Sequence, residues 1–288
     1  MDTQRESYVA LVTGASRGAG RGIAIGLGQK GATVYVTGRT TKPGEAPLPG
    51  TIYETADLVT AAGGRGIPVR CDHGKDEEIA ALFAQVEREA GRLDVLVNNV
   101  AVIHDDVIRP GPFWEKSIDL ANIISIGLRC HYIASFHAAP MMVRDGRGLI
   151  VFTSSYGSVC YMHGPAYGAQ KAGVDKLAAD MAVDLRDRHV AAVSIWMGPL
   201  QTARFERALQ QRPEQYERFA ELVETPEFTG FLIDALFRDP NLMAVSGKTL
   251  IGADLGMQYG IKDAGGKQPP SYRAVLGEPR EPHPAIVL

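Results

Sequence analysis

Short apolar runs and longer amphipathic stretches alternate along the whole chain. Tyr8–Thr13 (Y-V-A-L-V-T) is apolar without alternation and stops at Gly14, as suits a strand covered on both faces. A helical spacing follows from Ala19 to Gln29 and ends at Gly31; a strand at Thr33–Thr37 then closes a βαβ unit. Pro43, Pro47 and Pro49 make Thr41–Gly50 a loop. Beyond it the pattern predicts helices over Ile52–Ala62, Asp76–Ala90, Phe113–Val143 (bent near Pro140), Pro165–Arg188 and Glu227–Arg238. Strands are predicted at Gly66–Cys71, Leu93–Asn98, Leu149–Thr153, Ala191–Trp196 and Thr249–Ile251, with a mixed stretch up to about Glu224. Such alternation gives an α/β, doubly wound parallel sheet with helices on both faces. One domain over residues 1–264 accounts for it. A Gly/Pro-rich tail, 265–288, is expected to be extended, either docked on a surface or disordered.

Composition changes this picture little. The 288 residues suffice for one α/β domain, and a net charge of −3 gives no reason to expect nucleic-acid binding. No apolar run spans a bilayer, and M-D-T-Q-R-E-S-Y leads into a strand with no leader-like apolar core. Cys71, Cys130 and Cys160 have neither disulfide nor metal-ligand spacing. Free thiols, no metal and a cytoplasmic location are the expectations.

Two stretches carry chemistry. In the predicted helix, Tyr167 and Lys171 are four residues apart and share a face. A nearby ammonium favours the phenolate and lowers a phenol pKa from about 10. Ser155, upstream, could hold a carbonyl oxygen against that phenol, which makes an acid–base device for a C=O/CH–OH pair. The other stretch is T-G-A-S-R-G-A-G after the first strand, with Gly14, Ser16, Arg17, Gly18 and Gly20. Its glycines let backbone N–H groups approach a pyrophosphate at a helix N-terminus. The second strand ends T-G-R-T, with no acid to bind a ribose 2′-OH; Arg39, with Arg17, suits a 2′-phosphate. NADP(H) is therefore expected over NAD(H). Asp72, after the third strand, either accepts from the adenine amino group or caps the next helix.

Together with Asn98-Asn99 after the fourth strand, these motifs resemble the short-chain dehydrogenase/reductase family, over nearly the whole chain to about Asp263. The resemblance implies a single Rossmann-type domain and an NADP(H)-dependent oxidoreductase. It implies Tyr167 as proton donor or acceptor, Lys171 on the nicotinamide ribose, and Ser155 (or its neighbour Ser154) orienting the substrate oxygen. It also implies Thr202 at the nicotinamide carboxamide, Asn99 lining the cofactor, and a homodimer or homotetramer built on the long helices. The chain departs from the family at Val100-Ala101, at Met197-Gly198-Pro199, and at Ser125, where the family carries a relay Asn; Asn122 lies one turn away.

Ile103, Tyr156, Tyr161, Met162, His163, Met197 and the stretch 204–219 are expected to line the substrate side. Their apolar and aromatic content suits a lipophilic ketone or aldehyde and its alcohol. A nonenzymatic NADP(H) sensor and a fatty-acid-type acyl-thioester reductase are the alternative readings.

Overall fold

The computed structural model describes residues 7–287, except the side chains of Gln215 and Arg218. Residues 1–6, on which the leader expectation fell, and Leu288 lie outside the described residues. The strands are β1 (Val9–Val12), β2 (Thr33–Gly38), β3 (Arg65–Arg70), β4 (Val95–Asn98), β5 (Gly148–Ser154), β6 (Val190–Trp196) and β7 (Thr249–Ile251). They form one seven-stranded sheet in the order β3-β2-β1-β4-β5-β6-β7, with every pairing parallel. The order reverses between β1 and β4, which opens a crevice at the strands' C-terminal ends.

Helices cover both faces. On one face lie α1 (Gly18–Gln29), α2 (Ile52–Ala61) and, later in the chain, α9 (Pro226–Arg238), packing Ile23, Leu27, Val59, Phe228 and Leu232 on the sheet. The other face carries α3 (Asp76–Ala90), α5 (Cys130–Asp145) and α6 (Pro165–Leu185), with Ile79, Leu82, Met142, Val174 and Ala178. The short α4 (Asn122–Ile124) precedes α5, and α7 (Ala203–Gln211) and α8 (Pro213–Ala220) follow β6. After β7 come α10 (Gly252–Tyr259) and α11 (Arg273–Leu276). Among the described residues no helix is long and apolar enough to cross a membrane.

The continuous helix expected over Phe113–Val143 is not formed. Single 3-10 turns at Phe113–Glu115 and Ile118–Ala121 lead into α4, a π-helical turn at Ser125–Arg129, and then α5. The irregularity sits well before Pro140, which α5 contains. Its cause is a side chain entering the ladder: Gln170 Nε2 donates to Gly127 O at 2.5 Å and draws that carbonyl toward α6. The mixed stretch before Glu224 contains two helices, and α10 went unforeseen because its eight residues begin directly at the end of β7. The tail is docked at Tyr272, whose N–H donates to Tyr156 OH at 3.0 Å, while residues 281–287 are exposed.

The tightest helix contact joins α1 and α9. A Cβ on Gly26 would lie 2.6 Å from Glu227 O, and one on Gly230 would lie 2.7 Å from Ile23 O. Gly26→Ala should therefore destabilise the protein by about 1–3 kcal/mol, despite gaining about 1 kcal/mol of helix propensity. Thermal unfolding checks this; an unchanged or raised Tm would contradict the packing account.

Candidate active site

α6 turns a polar stripe toward the sheet at four-residue spacing, and each member is bonded there. Tyr167 OH meets Ser155 Oγ at 2.9 Å, just past β5. Lys171 Nζ donates to Thr153 O at 3.1 Å and lies 5.5 Å from the centroid of the Tyr167 ring. Asp175 accepts from Ser194 Oγ at 2.5 Å and from Trp196 Nε1 at 2.9 Å, both on β6. Of the two adjacent serines, Ser155 reaches the phenol. Ser154 is buried, with its hydroxyl directed to Lys171 O at 3.4 Å.

Burial sets the electrostatics. Desolvation lowers the Lys171 pKa to about 8, with Asp175 pulling it back up. The Tyr167 pKa is raised, first by burial, against the lowering effect of the Ser155 hydrogen bond. Any depression of the phenol by the ammonium is thus outweighed here. His131, buried near Lys171, is lowered to about 3, by burial first and Lys171 second. Its Nε2 lies 3.0 Å from Val100 O, while its Nδ1 has no hydrogen-bond partner among the described residues. His163 meets the Tyr167 ring edge-on at 5.0 Å between centroids. Its backbone is left-handed (φ 59°), a conformation that costs of order 1–3 kcal/mol in a non-glycine residue.

The glycine turn lies at the crevice. Gly14 and Gly18 have positive φ (64° and 58°), and a Cβ on Gly20 would come within 2.5 Å of Asn99 Nδ2. Ser16 is buried in the turn. Asn99 closes it across the sheet: its Nδ2 donates to Thr13 O at 2.9 Å, and its N–H to Thr13 Oγ1 at 2.8 Å. Arg17 and Arg39 are brought together but differ in kind. Arg17 donates to Thr40 Oγ1 at 2.9 Å, Gly50 O at 2.8 Å and Pro49 O at 3.3 Å, and so holds the 40–50 loop. Burial, then the charge of Arg39, lowers its pKa. Arg39 is exposed and makes no hydrogen bond or ion pair among the described residues.

Asp72 does not cap α3. Its Oδ1 accepts from Gly74 N–H at 3.0 Å, and Lys75 occupies the cap position. Thr202 caps α7, accepting from Phe205 N–H at 3.3 Å. Ser125 opens the π turn and Asn122 opens α4, both are exposed, and no hydrogen bond joins either to Tyr167 or Lys171. Tyr156, expected to line the pocket, is instead buried, its ring 5.0 Å from Trp196.

Sequence reasoning missed Asp175 and Glu224. Asp175 continues the spacing of Tyr167 and Lys171, so the helical period could have found it. Glu224 gives no such signal: it is far from the motifs, yet it holds the turn after β6. Its backbone pairs with Pro199 O and Gln201 N–H at 2.8 and 2.9 Å, and its Oε1 accepts from Gly198 N–H at 3.1 Å.

The sequence profile of the short chain dehydrogenase family matches residues 8–213. The chain is 41% identical to human (Homo sapiens) dehydrogenase/reductase SDR family member 1, over 94% of this chain and 88% of that protein. It resembles the crystal structure of a metagenomic short-chain oxidoreductase in complex with NADP, with a TM-score of 0.66, 27% identity, and coverage of 85% and 95% of the two chains. A putative dehydrogenase from Xanthomonas campestris shares the fold, with a TM-score of 0.75 at 22% identity, over 91% and 92% of the chains.

Burial raises the Glu224 pKa from 4.5 to about 8. Between those values the native state binds more protons than the unfolded state, so stability should fall as pH rises through that window. Wild-type Tm should drop from about pH 5 to about pH 8, a loss on the order of a few kcal/mol. Glu224→Gln should flatten the drop. Parallel curves for the two proteins would contradict this placement of the carboxyl.

Proposed function

Because the chain belongs to the short chain dehydrogenase family, whose members are oxidoreductases, we propose that it interconverts a lipophilic ketone or aldehyde and its alcohol, with NADP(H) as hydride carrier. The observation that carries this reading is the 2.9 Å contact between Ser155 Oγ and Tyr167 OH, with Lys171 beside the same ring. In reduction, Tyr167 gives its phenolic proton to the substrate oxygen, and Ser155 holds that oxygen in place; in oxidation, Tyr167 takes the proton back. A phenol kept above its ordinary pKa is protonated at neutral pH, as the reducing direction needs. The bonded pair also favours an enzyme over a nonenzymatic sensor.

The residues present fit a dinucleotide. The turn with Gly14, Ser16, Gly18 and Gly20 packs against Val100 and Asn99 so closely that a Cβ on Gly14 or Gly20 would clash, while a Cβ on Gly18 would meet open space, and it would hold the pyrophosphate at the start of α1. Arg39 would receive the 2′-phosphate, Asp72 the adenine, and Asn99, Lys171 and Thr202 the nicotinamide half. When bound, the cofactor supplies or takes up the hydride. Ser125, with Asn122, is proposed to supply solvent contact for proton return. Tyr132 and Phe136 on α5, and Val183 on α6, are exposed and suit a helix face shared by two copies.

Tyr167→Phe should lower kcat by roughly 10²–10⁴-fold while NADPH still binds. Ketone reduction and a fluorescence titration measure the two, and an unchanged kcat would sink the role given to Tyr167. Arg39→Ala should weaken NADPH binding by roughly tenfold or more and leave NADH binding unchanged. Arg17→Ala, which loosens the 40–50 loop, should weaken both. A wild-type protein that binds NADH as tightly as NADPH would contradict the reading of Arg39.

A further inference from the structure

Beside Tyr167 lies a pocket of about 350 Å³ between the 107–116 segment, the 161–164 turn and α8. His163 forms the wall common to the pocket and the Tyr167 ring. Val107, Ile108, Tyr161 and Tyr216 give it apolar surface, and among the described residues no Asp or Glu lines it. Two cations among the described residues do, and they are not equivalent. Arg109 is committed: it pairs with Asp106 at 2.9 Å and donates to Glu115 O at 2.6 Å. The Lys116 ammonium makes no hydrogen bond or ion pair among the described residues, although the residue is only half-exposed.

We propose that this pocket selects carbonyl compounds that carry a carboxylate on an apolar stem, with the Lys116 ammonium receiving the carboxylate. That the other end of such a compound is a carbonyl rests on the oxidoreductase reading above; the anion site does not. One uncommitted ammonium matches a single negative charge, and a charge-assisted hydrogen bond in a partly enclosed site is stronger than a neutral one. The apolar and aromatic walls match a hydrocarbon stem between the two ends. His163 adds no competing charge at neutral pH: its pKa is lowered by the protein packed round it and, second, by Lys116. Lys116 and His163 line the same pocket, and His163 also meets the Tyr167 ring. A neutral lipophilic ketone would leave this ammonium without a partner.

The test separates charge recognition from turnover. Phenylbutyrate and its primary amide, which contain no reducible ketone, are titrated by calorimetry into the NADP-loaded protein. The acid should bind about tenfold more tightly than the amide. The gap should shrink with added salt, vanish in Lys116→Gln and persist in Lys116→Arg. Acid and amide binding alike in wild type, or a gap that survives Lys116→Gln, overturns the proposal. Turnover is then read with NADPH and benzoylpropionate against its methyl ester. A lower KM for the acid, lost in Lys116→Gln, supports the assignment. Retained acid binding with no reduction of either compound counts against the oxidoreductase reading and leaves the anion site standing.

Discussion

The placement of one ammonium constrains this site more than any other interaction. Lys171 is buried, and removing a charge of that size from water costs several kcal/mol even after the protein relaxes. The charge is tolerated because Thr153 O accepts from it at the end of β5 and Asp175 lies one turn further along α6. Those contacts fix the rotation and height of α6 on the sheet. Once they are made, Tyr167 has one place to go, one turn earlier, where the chain leaving β5 presents Ser155. Asp175 secures the helix a second time, through Ser194 and Trp196 on β6.

The crevice opposite is held by the sheet in a similar way. β1 and β4 are neighbours whose connections leave in opposite directions. The gap at their C-terminal ends is closed by Asn99, which donates two hydrogen bonds across it to Thr13. The glycine turn therefore rests on a rigid support, and α6 with Tyr167 and Lys171 stands two strands away on the same edge. Glu224 does the corresponding work beyond β6, anchoring the turn that leads to Thr202. The site thus draws on three separate loops, each tied to a strand end by a polar side chain.

The fold was largely legible because buried parallel strands and amphipathic helices leave different apolar rhythms. β1, β2 and α3 show this directly: their contacts on the sheet are what the rhythm records. The rhythm failed at residues 113–129, where Gln170, over forty positions away, diverts the Gly127 carbonyl and opens a π turn. It also gave no warning that Tyr156 would be core, since its burial depends on Trp196 and on Tyr272 from the tail. The motif residues that meet within one helix and its adjoining strand, Tyr167, Lys171 and Ser155, could be placed from spacing. Those whose meaning depends on distant partners could not. Sequence gives no sign that Arg17 also holds the 40–50 loop, and Glu224 has no local signature at all.

The central claim is that the Ser155, Tyr167 and Lys171 groups face a carbonyl at which a hydride arrives. It is tested most directly by following the hydrogen itself. The protein is incubated with NADPH carrying deuterium at both hydrogen positions of the nicotinamide C4 and a panel of prochiral ketones, and the alcohols are examined by mass spectrometry and chiral chromatography. The account predicts an alcohol of one hand with a single deuterium on its carbinol carbon. Firm NADPH binding with no deuterated alcohol from any ketone of the panel would contradict it.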